Sequence, residues 1–420
     1  MNEKMIRKYA NMLAVVGINV QPGQKVLVEA CIEGYQFANI FAQECYKRGS
    51  GEVIINYLDL AGLKTKAQYM PEEEVRKIQQ WEADRYQNSL DDGACTIRLE
   101  GVNPKLMEDA TEAQANAIFS YIDNYRNIMR KASREKRCQW CIAMVPTYEW
   151  AELMFPELDR EAALDKLWQT VLDLCYITED NDIEEVWRQK NERKQAQGEK
   201  MDALNLKALH FTASNGTDLT VELTKYSKYS FKRRPDAIRF NANIPTEEIC
   251  TTPYKYGTEG VVYASRPLIL GGKKVENFGF RFEKGKVVEV IANEGKEMLE
   301  ALVNTDEGSA YLGETALVEY SSAISQSGLV YYNTLIDENA SCHLALGRGL
   351  GMCPEEGLFN DSSTHIDFMM GTADMNIDGL TQDGQWVPVF RNGDFAFLYL
   401  ILTVLCKGDC FFIKTLKKYL

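Results

Sequence analysis

The first two hundred residues alternate between two hydrophobic periods. Ile6, Tyr9, Leu13 and Val16 recur at helical spacing, and Gly17 supplies a natural stop. Lys25 to Ala30 reads as a strand, Tyr35 to Lys47 as a helix, and Glu52 to Tyr57 as a second strand. Pro71, followed by Glu72, Glu73 and Glu74, predicts a helix start with proline at its first position and acids facing the positive end of the dipole. Strands separated by helices favour a parallel sheet of βαβ units. From Arg160 to about Asp202 the pattern is mostly helical and heavily charged after Glu179, which predicts a bridge between two domains.

Beyond Ala208 the pattern shifts to short β segments. Phe278 to Phe282, the turn Glu283-Lys284-Gly285-Lys286 and Val287 to Ile291 form the clearest hairpin. A helix over Lys296 to Val303 follows, then strands around Ala316 to Glu319 and His365 to Met370, with a turn at Asp383-Gly384. Leu398 to Cys406 is a short apolar run and Lys414 to Leu420 a basic tip. That tail reads as a packed extension in preference to a membrane or partner contact. The expected class is α/β, with three parts: an N-terminal βαβ-type domain and helical bridge over 1–202, a mixed α+β metal-binding domain over 203–397, and an atypical tail over 398–420.

Composition and charge narrow the partners. At 420 residues, two domains are the default. Hydrophobic residues at 45% and charged residues at 26% suit a soluble globular protein. A formal charge of −14 argues against nucleic acid or anionic membranes as partners. The run Lys232-Arg233-Arg234 before Pro235 reads as a solvated loop. No apolar segment follows the polar Met1 to Lys8, and no window reaches the ~18 apolar residues a span needs, so neither a secretory signal nor a membrane helix is expected. Eleven irregularly spaced cysteines suit the reduced thiols of a cytoplasm. Cys138 and Cys141 have a redox spacing but lead into Ile142-Ala143-Met144-Val145, so both are expected in a buried strand.

The candidate chemistry gathers around two of only three histidines. His343 follows Asp337-Glu338, and His365 opens His365-Ile366-Asp367. Period-2 geometry puts His365 and Asp367 on one strand face. Glu338 and His343 would stand about 140° apart on a continuous helix. They converge if a helix starts between them, with Asn339 as its N-cap and His343 in its first turn. Glu248, just after Pro245 and Thr246, and Glu314, ahead of Ala316-Leu317-Val318, complete a candidate ligand set.

Imidazole with carboxylate suits zinc, cobalt or manganese better than calcium or magnesium. Two such metals sharing a carboxylate and a water would support amide hydrolysis, with a further carboxylate moving the proton. Taken singly, each glutamate reads as a surface charge and each histidine as a satisfied core side chain. Neither HExxH nor HxxEH is present. Gly347-Arg348-Gly349-Leu350-Gly351 is expected to follow a helix, which excludes a Walker or dinucleotide loop. Ser325-Gln326-Ser327-Gly328 lacks the first glycine of a nucleophile elbow. His210 sits in a strand-like run with no acid expected nearby.

Five segments carry a family resemblance: Ile244-Pro245-Thr246-Glu247-Glu248, Asn304-Thr305-Asp306-Glu307-Gly308, Ser322-Ala323-Ile324-Ser325-Gln326-Ser327-Gly328, Tyr332-Asn333-Thr334-Leu335-Ile336-Asp337-Glu338-Asn339-Ala340, and His365-Ile366-Asp367-Phe368-Met369. Together they resemble the motifs of the thermophilic metallo-aminopeptidases, the aminopeptidase T and S type, from the first helix to about Phe397. The resemblance implies a cytoplasmic homodimer that removes N-terminal residues from peptides with a free N-terminus. It also implies two divalent metal ions, commonly cobalt, zinc or magnesium.

Carried over by position, the family's metal ligands fall on Glu248, Glu314, His343, His365 and Asp367, all of the expected type. Glu338 matches an acid beside the metals, as ligand or general base. Seven residues after His343 the family carries a tyrosine whose hydroxyl assists the transition state, and here that position is Leu350. The stretch before His365 is shorter than the family pattern, and the tail from Leu398 is a further departure. A missing oxyanion donor costs ~10²–10³ in rate, so the alternative reading is a metal-binding relative with impaired turnover. Tyr331 or Tyr332 could replace the hydroxyl, although both read as packed strand residues. A nucleotide-binding oxidoreductase, suggested by the βαβ pattern, lacks a glycine fingerprint.

Overall fold

The two hydrophobic regimes resolve into two compact units in the computed structural model, which describes residues 2–101, 106–107, 109–135, 137–230, 238–270, 273–350 and 359–397. One unit comprises the described residues of Met1–Glu192 and Phe231–Thr246, the other those of Arg193–Ser230 and Glu247–Leu420. The run Lys232-Arg233-Arg234, the segment from Gly351 towards His365 and the tail from Leu398 lie outside the described residues, wholly or in part.

The chain begins with α1 (Glu3–Met12), whose first turn is capped by the Asn2 side chain accepting from the Lys4 amide, and a wider π turn continues it over Leu13–Gly17. There follow β1 (Val26–Cys31), α2 (Tyr35–Lys47), β2 (Val53–Leu58), α3 (Leu60–Tyr69), α4 (Glu72–Val75), α5 (Gln80–Asp91) and β3 (Cys95–Glu100). Next come α6 (Glu112–Arg134), β4 (Trp140–Met144), α7 (Tyr148–Met154), α8 (Arg160–Leu174) and α9 (Ile183–Leu204). Strands then dominate: β5 (Ala208–Thr212), β6 (Asp218–Leu223), β7 (Asn243–Ile244), β8 (Ile249–Thr251), β9 (Pro253–Tyr263), β10 (Leu268–Leu270) and β11 (Lys273–Val275). After β12 (Phe278–Glu283) and β13 (Lys286–Ala292) come α10 (Lys296–Val303), β14 (Leu312–Leu317), α11 (Ala323–Ser327) and α12 (Thr334–Asp337). The described chain closes with β15 (His343–Gly347), β16 (His365–Met369), β17 (Asn376–Leu380), β18 (Trp386–Arg391) and β19 (Asp394–Phe395).

The first unit is built on a parallel sheet of order β2-β1-β3-β4-β7. Pro71 caps α4 with an extended ψ of 145° instead of entering it, and α4 lasts one turn before Gln79 and Glu82 close a capping box on α5. Cys141 lies in β4 and Cys138 just ahead of it, both buried. Among the described residues no helix is long and apolar enough to cross a membrane.

The second unit holds an eight-stranded antiparallel sheet, β13-β12-β9-β6-β5-β17-β18-β19, and a four-stranded one, β16-β15-β14-β8. Their apolar faces share one core, in which Phe368 of the small sheet meets Phe280 of the large one edge-on at 5.1 Å. The hairpin β12–β13 turns at Lys284 and Gly285, with φ of 49° and 81°. A Cβ at Gly285 would fall 2.0 Å from the Lys255 carbonyl oxygen, so only glycine fits that turn.

Candidate metal centre

The four-stranded sheet sorts its residues by alternation. Leu344 and Leu346 of β15, Phe368 of β16 and Leu317 of β14 enter the core, with Ile366 packed against it. Their neighbours His343, Ala345, His365, Asp367, Glu314 and Ala316 therefore project from the opposite face. Register then aligns them: Ala345 pairs with Glu314 on one side and Asp367 on the other, while His343 pairs with Ala316 and His365 with Gly347. The single methyl of Ala345 leaves room between the two carboxylates. Glu248 immediately precedes β8, whose Ile249 pairs with Leu317.

One local device aims Glu314. Leu312 pairs with Leu346 and Glu314 with Ala345, so Gly313 is an extra residue on β14. This bulge turns Leu312 to the core and Glu314 to the other face. A Cβ on Gly313 would lie 2.3 Å from the Arg348 carbonyl oxygen, so a side chain has no room there.

His343 Nε2 lies 3.2 Å from Glu248 Oε2, and His365 Nε2 lies 3.2 Å from Glu314 Oε2 and 3.6 Å from Asp367 Oδ1. Two groups of potential ligand atoms result, Glu248 with Glu314 and His343, and Glu314 with His365 and Asp367, the atoms in each within 4.8 Å of one another. Glu314 belongs to both. The other imidazole nitrogens face backbone carbonyls, His343 Nδ1 at 3.3 Å from Ser341 and His365 Nδ1 at 2.7 Å from Arg348. A carbonyl accepts from Nδ1–H, which leaves the Nε2 lone pair pointing into the centre.

Electrostatics asks for a cation. Burial would lower both imidazoles, but Glu248 beside His343 and Glu314 beside His365 outweigh it and push each up to about 9. Burial would also raise Glu314, yet His365 holds it below the ordinary carboxylate range. Asp367 is raised by burial, and Glu314 and Glu248 act in the same direction. Burial, then the charges of Asp367, Glu248 and Glu314, push Glu338 well above its usual value. Glu248 Oε2 and Asp367 Oδ1 are buried with only the imidazole Nε2 atoms near them, at 3.2 and 3.6 Å, and neither contact is a well-formed hydrogen bond. Buried carboxylate oxygens so weakly satisfied are costly, and a divalent ion would satisfy them.

The structure brings all five expected ligand positions together and sets Glu338 beside them, outside both groups. It corrects the local conformation at His343. Glu338–Ala340 is a 3₁₀ turn, Ser341 is fully extended, and His343 opens a strand instead of riding the first turn of a helix. The reason is pairing on both flanks, with β14 and β16, which overrides a short run of helix-compatible leucine and alanine. Asn339, expected as an N-cap, instead accepts from the Glu247 amide and so ties down the segment that presents Glu248.

The glycine-rich loop consequently follows a strand. Its described amides are engaged, Arg348 with Thr364, Gly349 with Asn360 and Leu350 with the Thr252 hydroxyl, so among the described residues they do not form a phosphate cradle. His210 has an acid after all: the β5–β6 hairpin carries Asp218 to 2.8 Å from its Nε2, away from this centre. Sequence reasoning missed the Gly313 bulge, the Ala345 gap and the two orienting carbonyls. The one available signal was a small residue directly before, or between, candidate ligands.

The chain as a whole has relatives. The thermophilic metalloprotease (M29) family matches residues 2–395. The chain belongs to this family. Aminopeptidase AmpS of Bacillus subtilis is 37% identical over 409 residues, covering 93% of this chain and 98% of its own. Aminopeptidase T of Thermus thermophilus is 33% identical over 405 residues, covering 93% and 98%. The solved structure of wild-type AmpT from Thermus thermophilus superposes with a TM-score of 0.87 at 32% identity over 94% of this chain and 99% of that one. A 2,5-dihydroxypyridine dioxygenase from Pseudomonas putida KT2440 shares the fold alone, at a TM-score of 0.51 and 11% identity. Membership in the M29 family makes this chain a metalloprotease by descent, with a donor set that fits divalent metal ions.

Proposed function

We propose that the chain is a two-metal aminopeptidase acting on peptides with a free N-terminus. The observation that carries this reading is the sharing of Glu314 between two three-residue ligand groups. Glu248, Glu314 and His343 would hold one divalent ion, and Glu314, His365 and Asp367 the other. Zinc, cobalt and magnesium all remain compatible with the donor set. Bound there, the ions supply Lewis-acid polarisation of a carbonyl and a water of lowered pKa, near ~7. Ser341 and Arg348 hold the two imidazoles in the tautomer that presents Nε2.

Glu338 takes the role of general base and acid. It stands beside both groups without belonging to either, and burial with the neighbouring carboxylates raises its proton affinity. As the carboxylate, once bound cations offset those neighbouring charges, it would accept a proton from water, and the carboxyl so formed would return that proton to the leaving amine. The names of the relatives support peptide substrates, and a cytoplasmic homodimer is what the family resemblance implies.

A second reading, metal binding with impaired turnover, is favoured by one observation. Leu350 is pinned through both its backbone amide and its carbonyl to the Thr252 hydroxyl, and it offers no hydroxyl of its own. Tyr331 is fully buried, with its phenol pushed up to about 12 by burial, so it is poorly suited as a substitute donor.

The discriminating experiment compares two variants for metal content and for hydrolysis of a leucyl arylamide. His365→Ala loses metal and activity together, whereas Glu338→Gln keeps its metal while turnover falls ~10²–10⁴-fold. Glu338→Gln protein stripped of metal as fully as His365→Ala would make Glu338 a ligand instead.

A further inference from the structure

The parallel sheet carries an anomaly remote in sequence from the metal centre. Strands of a buried parallel sheet are ordinarily apolar throughout, yet Asn56, Glu29 and Arg98 stand in one register row across β2, β1 and β3. Glu29 is only 5% exposed. Arg126 of α6 occupies its Oε1, with Nε at 3.1 Å, while Oε2 remains buried without a hydrogen-bond partner. Asn56 Nδ2 is likewise buried and unpartnered. Both side chains line a cavity of about 220 Å³ whose other walls come from β2, α5 and α6. That is smaller than the roughly 300–1,000 Å³ of sites for drug-sized ligands, which points to a small molecule.

The walls are aromatic. Tyr86 and Tyr125 stack with centroids 5.5 Å apart, and Tyr121 meets Tyr125 edge-on at 5.8 Å. Tyr121 also lines the cavity, its hydroxyl donating to Glu82 at 2.7 Å, with Lys66 Nζ over its ring at 5.4 Å. Trp81 lies at the mouth, 66% exposed, and Arg85 lines the same rim. Burial, and then the Glu29 charge, push the Tyr86 phenol up to about 12. Ring faces attract cations, most strongly where water is excluded.

We propose that this cavity binds a small organic ammonium ion, which donates to Glu29 Oε2 among the tyrosine and tryptophan rings. Arg85 at the rim takes a carboxylate where the ligand carries one, and Asn56 Nδ2 donates to a ligand oxygen. A free α-amino acid has this chemistry, although the site does not rest on the proposed peptidase reaction.

Three related probes test it by calorimetric titration of the full chain: L-leucine, isopentylamine (leucine without its carboxylate) and isocaproate (leucine without its amine). Leucine and isopentylamine saturate a site and isocaproate does not. Glu29→Gln weakens both amines about tenfold or more, and Trp81→Ala weakens them severalfold while leaving arylamide hydrolysis at the parent rate. Because Glu29→Gln also removes the counter-charge of Arg126, the exposed Trp81 position keeps the test standing if that variant fails to fold. No saturable binding of either amine, isocaproate binding as tightly as isopentylamine, or leucine binding untouched by both substitutions overturns the proposal.

Discussion

Ala345 lies between Glu314 and Asp367, and its size explains how two carboxylates and two imidazoles can converge on one patch of sheet. That these five positions would come together was legible from the motifs, since all five residues are of the type the family pattern demands. The sharing of Glu314 was not legible, because it depends on cross-strand register and not on spacing along the chain. The same holds for the carbonyls of Ser341 and Arg348, which chemistry alone does not single out in a sequence. Leu350 is the residue-scale test of catalytic competence. Leu350→Tyr is expected to raise turnover, by up to ~10²–10³ if its hydroxyl reaches the developing oxyanion. Steady-state hydrolysis of a leucyl arylamide by the folded variant checks this, and an unchanged rate would implicate the loop instead of the hydroxyl.

At the scale of elements, the clear periodic segments were readable almost to the residue, including α2 at Tyr35–Lys47 and α10 at Lys296–Val303. The error at β15 has a physical source. His343 to Gly347 is five residues of short apolar run, for which helix and strand cannot be told apart by period, and only pairing with β14 and β16 decides it. The bulge at Gly313 is the device on which the centre's geometry depends. Gly313→Ala must displace backbone near Arg348, whose carbonyl orients His365. Expected are a loss of about 1–3 kcal/mol in denaturant unfolding and weaker metal binding. A variant that matched the parent in both would remove the bulge from the account.

Asp374 ties the start of β17 to the loop after β5, accepting from the Ser214 amide at 2.9 Å and the Thr372 hydroxyl at 2.6 Å. Its folded pKa is depressed from 3.8 to about 2, chiefly by the bonds from Ser214 and Thr372. The sign follows: this stabilisation is present above the ordinary value and is lost as pH falls through about 2. Urea midpoints taken across that range should fall less steeply in Asp374→Asn than in the parent. Equal slopes would show that the carboxylate contributes nothing to acid stability.

For the whole molecule, the change from βαβ alternation to hairpins separated an α/β region from a β-rich one, but the chain returns to the parallel sheet at β7 before completing the second unit. The short strand β7 escaped notice, because two residues carry no period. It joins the parallel sheet only through the pairs Ile142 with Asn243 and Ala143 with Ile244. A dioxygenase at 11% identity shares the same architecture, so the fold alone does not fix the reaction, and the case rests on the centre in the second unit.

The most direct measurement is the number of divalent ions bound by the metal-stripped chain on titration, with arylamide hydrolysis followed in the same samples, for the parent and for Glu314→Gln. Two equivalents are expected in the parent with activity rising as they bind, and the loss of both, with activity, in Glu314→Gln. A parent chain fully active with one equivalent, or one loaded with two and inert in the presence of substrate, would contradict the two-metal reading.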